Sequence, residues 1–190
     1  MHSTRRRRFQ APFHDRQLAT GHHRPAPTKL GWWVDPLGNK VSEGEIMPNG
    51  QLKISTVSNV ELVNITSEID KILQSQTISS GVIHLFNPHT TAGLIINEGA
   101  DPDVCRDIVQ GLAHMVPRNL GYKHREGNSP SHIMAMLTGS CITIFIENGK
   151  LQLGTWQKVF FCEFDGPRTR SVRWKIIADP QQPFANTQTA

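Results

Sequence analysis

Apolar residues along this chain change their period several times, and each change marks an element. Leu52 and Ile54 alternate with polar neighbours and Val60-Glu-Leu-Val-Asn-Ile65 keeps strand character, so two strands open the body near Gln51. The spacing then becomes helical. Ile69, Ile72 and Leu73 share one face through about Gln76, with Thr66 or Ser67 as the expected N-cap. Gly81 restarts the chain into the strand Val82–Phe86, which stops at Asn87-Pro88. Asp101-Pro102 predicts a second helix, because Asp accepts from first-turn amides and Pro at the first helical position loses no needed donor. Val104, Ile108, Leu112 and Met115 form its expected buried stripe, and Pro117 ends it. From residue 133 the period is read as two. Ile142, Ile144 and Ile146 alternate with Thr143 and Phe145, and Glu147-Asn148-Gly149-Lys150 predicts a type I′ hairpin. Val159–Phe164 and Val172–Ile177 complete the strands. Two helices among several mostly antiparallel strands predict an α+β domain.

The ends of the chain read differently. Residues 1–30 carry the Arg5–Arg8 run, His22-His23 and Pro25-Ala-Pro27 with little apolar periodicity, and are expected to be disordered or loosely attached. Residues 31–50 add Trp32-Trp33 among Gly and Pro, and Met47 before Pro48-Asn-Gly is a plausible start of the folded unit. The expected division is a basic extension over 1–48, a folded domain over 51–178 and a frayed tail over 179–190. Charge follows the same division. The net charge is +4, yet residues 1–48 hold eight Lys/Arg against four acids, and the remainder holds twelve of each. A neutral body argues against nucleic-acid binding as the main function.

The 190-residue length suits one domain with an appendage. Cys105, Cys141 and Cys162 are odd in number, widely spaced and without a CxxC pair, so buried thiols in a reducing, cytoplasmic setting are expected. The start lacks a secretory apolar region, although its Arg-rich, acid-poor composition is shared with transit peptides. No apolar run is long enough for a membrane span.

The candidate chemistry concentrates in polar segments at strand ends. In His84-Leu-Phe-Asn-Pro-His89-Thr-Thr-Ala-Gly-Leu-Ile-Ile-Asn97-Glu98 a strand stops, offers polar groups in a turn and resumes. His89, His124 and His132 fall at element ends or in polar loops, where ligands usually sit, and three imidazoles with an open fourth position suit Zn²⁺. Spacing by itself favours unrelated surface histidines, since no HExxH or CxxC pattern is present. Glu98 and Glu126 flank histidines and could orient imidazoles or move protons. Glu163, set among Phe160-Phe-Cys and Phe164, is either edge-exposed or site-facing. Arg168, Arg170 and Arg173 suit either a phosphate grip or a solvated strand face. Trp156 beside Gln157 is a binding pair or ordinary packing.

Taken together, Pro88-His89-Thr-Thr-Ala-Gly93, Asn97-Glu98, Ala100-Asp-Pro-Asp103, His124-x-Glu126-Gly-Asn128, His132, Leu153-Gly-Thr-Trp-Gln157 and Cys162-Glu-Phe-Asp-Gly-Pro-Arg168 resemble the YjbQ family, also called the secondary thiamine-phosphate synthase family. The resemblance runs from about residue 51 to 178. It implies an α+β fold with a large, mostly antiparallel, sandwich- or barrel-like β-sheet core and two main helices. It also implies a homotrimer with sites near subunit boundaries and a divalent metal, zinc, on His89, His124 and His132. The implied activity joins hydroxymethylpyrimidine diphosphate to thiazole phosphate, giving thiamine phosphate and pyrophosphate, with the physiological reaction open. In that reading Glu98, Glu126, Glu163 and Asn128 serve catalysis, and Thr90, Thr91, Asn97, Trp156, Gln157 and Arg168 hold a small phosphorylated substrate. Two alternatives remain: a trimeric metal- or phosphometabolite-binding protein without turnover, and a metal-dependent hydrolase of a phosphorylated small molecule.

Overall fold

The computed structural model describes residues 32–34, 40–42 and 47–179. The chain divides into two units, Met1–Glu45 and Ile46–Ala190. In the first, β1 (Trp32–Val34) and β2 (Lys40–Ser42) pair antiparallel. Residues 1–30, with the Arg5–Arg8 run, and the stretch 180–190 lie outside the described residues.

The second unit runs β3 (Asn49–Ser55), β4 (Glu61–Asn64), α1 (Thr66–Gln74), β5 (Ser80–Phe86), β6 (Ala92–Glu98), α2 (Pro102–Met115), α3 (Ser129–Thr138), β7 (Cys141–Glu147), β8 (Lys150–Leu151), β9 (Gln157–Glu163) and β10 (Thr169–Ala178). All its strand pairs are antiparallel, in a five-stranded sheet ordered β3-β10-β5-β7-β8 and a three-stranded sheet ordered β4-β9-β6. The inward residues of the large sheet (Ile54, Ile83, Leu85, Ile144, Ile146, Val172, Ile176) meet Leu94, Val159 and Phe161 of the small one in the main core, which Ile65, Ile69 and Leu73 join at α1. The other face of the small sheet is covered by α2 and α3, where Leu112, Val116, Met134 and Ala135 pack with Cys162 and Phe164. Strand β9 is therefore apolar on both faces. That double coverage explains why Val159-Phe-Phe-Cys reads as a continuous run rather than an alternation.

Much of the expected layout is present. The α+β class and the antiparallel sheets hold. Asp101 caps α2 by accepting from the Asp103 amide at 2.8 Å, and Pro102 opens that helix. Asn148 (φ 53°) and Gly149 (φ 70°) both occupy the left-handed region that a type I′ turn requires.

Four expectations are corrected. The segment 129–138 is a third helix, not loop followed by strand, so His132 lies on a helix. Pro130 near its start and Gly139 at its end (φ 85°) bracket an apolar run that packs on β6 and β9. Neither Thr66 nor Ser67 caps α1. Ile65 occupies that position, Asn64 Oδ1 accepts from the Thr66 amide, and the Thr66 hydroxyl accepts from the Val159 amide at 2.9 Å. Helix α1 also ends at Gln74 rather than Gln76. Finally, the α2 stripe is not fully buried: Leu112 is, Val104 and Ile108 are half-buried, and Met115 is 65% exposed.

Candidate functional site

Strand β5 and strand β6 are joined by residues 87–91, and Asn87 shapes that connection. Asn87 is 2% exposed, its Oδ1 accepts from the His89 amide, and its Nδ2 donates to the carbonyls of His89 and Ala92. Three bonds from one buried amide fix a loop that Pro88 would otherwise leave without an amide donor. The loop carries His89 against β10, where its Nε2 accepts from the Ser171 amide at 3.0 Å. The imidazole thus takes the place of a strand partner just past the last β5–β10 pair, Phe86 with Arg173. Burial, the Arg170 charge second, lowers the His89 pKa below its ordinary 6.5.

Beneath His89 lies a buried ion pair. Glu163 is fully buried and Arg170 is 8% exposed; Nε of Arg170 donates to Oε2 at 2.7 Å and Nη2 to Oε1 at 2.5 Å. Arg170 Nη2 also donates to the Thr91 hydroxyl, and the carboxylate accepts from the Thr56 hydroxyl and the Phe164 and Asp165 amides. Burial pushes the Glu163 carboxyl up, but the Arg170 hydrogen bonds and charge, with the amides, outweigh it and hold it below its ordinary value. The choice between an edge-exposed and a site-facing Glu163 resolves into neither: it is an internal strut. Thr56 and Asn87 were not singled out from sequence. An acid alone in an apolar run, with an Arg on the next strand of the chain, is the signal for the pair.

A second polar group forms where α3 begins. The rings of His124 and His132 stand edge to face with centroids 5.3 Å apart, and Glu126 lies 3.7 Å from His124 Nε2. Asn128 Nδ2 donates to Asp165 Oδ2 at 3.2 Å, while its Oδ1 is buried without a donor among the described residues. Arg168, expected to grip phosphate, instead donates through Nη2 to Asp165 Oδ2 and through Nε to the Asp165 carbonyl, both at 2.7 Å. Burial raises the Asp165 pKa, but Asn128 and Arg168 outweigh it and hold the carboxyl below its ordinary value. His89, Thr90 and His132 line one open cleft of about 360 Å³ with Phe86, Met136 and Ser140. The structure therefore brings His89 and His132 to one cavity and joins His124 to His132.

Asn97, Glu98, Trp156 and Gln157 are elsewhere. Ala92 pairs with Glu163 and Glu98 with Gln157, at opposite ends of the β6–β9 ladder. Six residue steps at about 3.3 Å put the two ends roughly 20 Å apart. At the far end, Gln157 Oε1 accepts from the Gly154 amide, Asn97 Oδ1 accepts from the Glu98 amide, and Trp156 is 63% exposed. Gln157 belongs to a separate cleft of about 420 Å³ beside α1, with Asp70, Lys150 and Lys158.

For a metal, the donor chemistry of His124, His132 and Glu126 fits a divalent ion. His89 as placed gives its Nε2 to Ser171, leaving Nδ1 for any ligand. Among the described residues no three His, Cys, Asp or Glu side chains are grouped so as to hold a metal within one chain. Among the described residues no helix is long and apolar enough to cross a membrane.

Antiparallel sheets backed by α2 and α3, with a histidine cleft at the β5–β6 turn, define an α+β protein whose polar residues gather at strand ends. Residues 50–179 match the model of the family described as UPF0047 protein YjbQ-like, and the chain belongs to that family. It is 47% identical over 127 residues to UPF0047 protein MJ1081 of Methanocaldococcus jannaschii, covering 67% of this chain and 92% of that protein. Against UPF0047 protein YugU of Bacillus subtilis the identity is 42%, over 66% of this chain and 96% of the other. The crystal structure of a YjbQ/UPF0047 family protein from Clostridium acetobutylicum superposes with a TM-score of 0.65 at 50% identity, covering 67% of this chain and 98% of that one. A YbjQ-like protein from Sulfolobus solfataricus gives a TM-score of 0.67 at 29% identity, over 70% and 98% of the two chains.

Proposed function

We propose that the chain is a metal-dependent enzyme acting on a small phosphorylated metabolite, with thiamine-phosphate synthase type coupling as the activity to test. The observation that carries this reading is the His124–His132 pair, with Glu126 beside it, bordering the cleft that His89 also lines. When bound there, a divalent ion, zinc being the expected one, would neutralise phosphate oxygens or polarise a substrate oxygen. His124 and His132 would hold it. His89, kept neutral by burial and Arg170, would donate from Nδ1 to a substrate oxygen, and Thr90, exposed at the cleft rim, would add a hydroxyl. The Glu163–Arg170 pair would act as a positioning element, fixing Thr91 and the His89 loop rather than touching substrate.

The division of the candidate residues supports a homotrimer as the working form. A head-to-tail contact in a closed ring brings one end of a subunit against the opposite end of its neighbour. Glu98, Trp156 and Gln157 of a neighbouring copy could then complete the cleft. One observation favours a second reading, a metal- or phosphometabolite-binding protein without turnover: the guanidinium expected to hold phosphate, Arg168, is engaged by Asp165.

The test is metal content and turnover on the full chain. Wild type is expected to carry stoichiometric zinc and to release pyrophosphate from the two thiamine precursors, while His132→Ala loses both. Equal metal in wild type and in His124→Ala and His132→Ala would refute the site. Metal-replete wild type that neither couples these substrates nor hydrolyses phosphate esters would favour the binding protein.

A further inference from the structure

A further cavity meets the histidine cleft only at Phe86. It lies on the outward face of β3, β10 and β5, measures about 660 Å³, and is lined by Asn49, Gln51, His84, Phe86, Arg173 and Lys175. The strand register builds it in two rows. Lys175 pairs with Asn49 on one side and His84 on the other, while Arg173 pairs with Gln51 and Phe86. Directly opposed residues project to the same face, so each row sets a cation between an amide and a ring. The next strand adds Thr143, whose hydroxyl engages His84 Nδ1 at 2.9 Å and leaves Nε2 for the cleft. Below, Trp174 packs flat on β3, because residue 50 is Gly and a Cβ there would stand 2.7 Å from the indole.

Charge gives the cleft its meaning. Arg173 and Lys175 are two residues apart on one face, about 7 Å along the strand, so their charges repel. Among the described residues no carboxylate lines the cavity and neither side chain has an acidic partner. Two like charges held side by side over an amide-lined floor are matched by a dianion. Phe86, 39% exposed at one wall, offers an aromatic face beside them. The volume falls within the range of about 300–1,000 Å³ typical of small-molecule sites.

The geometry points to a second binding site on this chain: a cleft for a phosphate ester carried on a flat ring, with the phosphate on Arg173 and Lys175 and the ring against Phe86. Gln51 supplies an amide donor to the ester, Asn49 the second hydrogen of an Nδ2 that already donates to the Met47 carbonyl, and His84 Nε2 reaches its phosphate side. The site stands without the metal reading, since none of its charged residues belongs to the His124–His132 group.

The test is calorimetric titration of the full chain with AMP, adenosine and inorganic phosphate. AMP is expected to bind more tightly than phosphate, and adenosine to give no saturable heat. Replacing both cations (Arg173→Gln with Lys175→Gln) should weaken AMP binding by at least about tenfold, the order of one charge-assisted hydrogen bond. Phe86→Leu should bring AMP down to the affinity of phosphate. Both cations are exposed, so melting curves should match wild type; if the double variant is destabilised, Lys175→Glu alone is the substitute and should abolish binding. His124→Ala should bind AMP as wild type does. Undiminished AMP affinity in the cation variants, or equal loss in His124→Ala, would overturn the assignment. Loss of metal in His124→Ala with AMP binding intact would separate this site from the proposed reaction.

Discussion

The two ends of the β6–β9 ladder are built on opposite principles. At the Ala92–Glu163 end a buried set of polar side chains is tied down: Glu163, Arg170, Thr91 and Thr56 form one network, and Asn87 and His89 extend it through backbone bonds. At the Glu98–Gln157 end, Asn97 and Gln157 engage only their own turns, and Trp156 projects outward. The buried network of the first end is complete within its own chain. The second exposes a large aromatic whose environment must come from outside, as solvent or as another molecule. Residue types suited to chemistry at both ends therefore say nothing about whether they share a site; the ladder register does.

The strongest way to break the contrast is to cut the buried network. Arg170→Ala leaves the Glu163 carboxylate fully buried without its cation, and should cost about 3–5 kcal/mol, read as a lower denaturant midpoint. Glu163→Met with Arg170→Met removes both charges and should recover most of that loss. A double variant as unstable as the single one would mean the pair is needed for more than charge balance.

Next in size is the loop. Asn87→Ala deletes three hydrogen bonds and orphans the His89 amide beneath Pro88, for an expected cost of about 2 kcal/mol in thermal or denaturant melts. The same variant should blur the position of His89, so any ligand that uses the histidine cleft should weaken with it while AMP on Arg173 and Lys175 does not.

Acid should act on the same end. The Glu163 and Asp165 carboxyls lie below their ordinary values in the folded chain, so the stability they add is complete above those ordinary values and is lost as pH falls through the lower folded ones. The contribution of these two carboxyls should therefore stay flat through neutral pH and fall only below about pH 4.5, while the lowered His89 adds a separate loss that begins as pH drops through its ordinary 6.5. The Glu163→Met, Arg170→Met chain should show a shallower acid limb than wild type; identical limbs would place the acid sensitivity elsewhere.

How far the sequence reveals this architecture differs between the ends. The strand Val82–Phe86, the I′ turn at Asn148-Gly149 and the Asp101 cap follow from local rules, because each depends on a few neighbouring residues; the pairing of β6 with β9, distant in sequence, does not. Helix α3 does not. Its apolar run is continuous from Ile133 to Leu137 although only Met134 and Ala135 are buried and Met136 and Leu137 are exposed, and such a run has no period to separate helix from strand. Only Pro130 and Gly139 marked its ends. The Glu163–Arg170 pair was half legible: an acid inside an apolar run demands a partner, but the choice among Arg168, Arg170 and Arg173 depends on which β10 residues face inward. Arg170 shares the inner face with Val172, while Arg173 faces out and Arg168 precedes the strand. Alternation along β10 names Arg170 only once the strand's start at Thr169 is known.

The smallest effect on stability is expected at the open end, and it carries the most information. Trp156 is mostly exposed and Gln157 holds only the Gly154 amide, so Trp156→Ala should change the unfolding free energy of a single subunit by less than about 0.5 kcal/mol. If the open end docks on a neighbour, the same substitution should lower the oligomer mass measured by light scattering as the protein is diluted, and turnover should fall in parallel. Supplying the missing end in trans sharpens this. Mixed with His132→Ala subunits under conditions of subunit exchange, Trp156→Ala subunits should recover activity, because a ring containing both kinds has interfaces where an intact cleft meets an intact Trp156. Additive, uncomplemented activities would place each site wholly within one chain, and the far end of the ladder would then be surface.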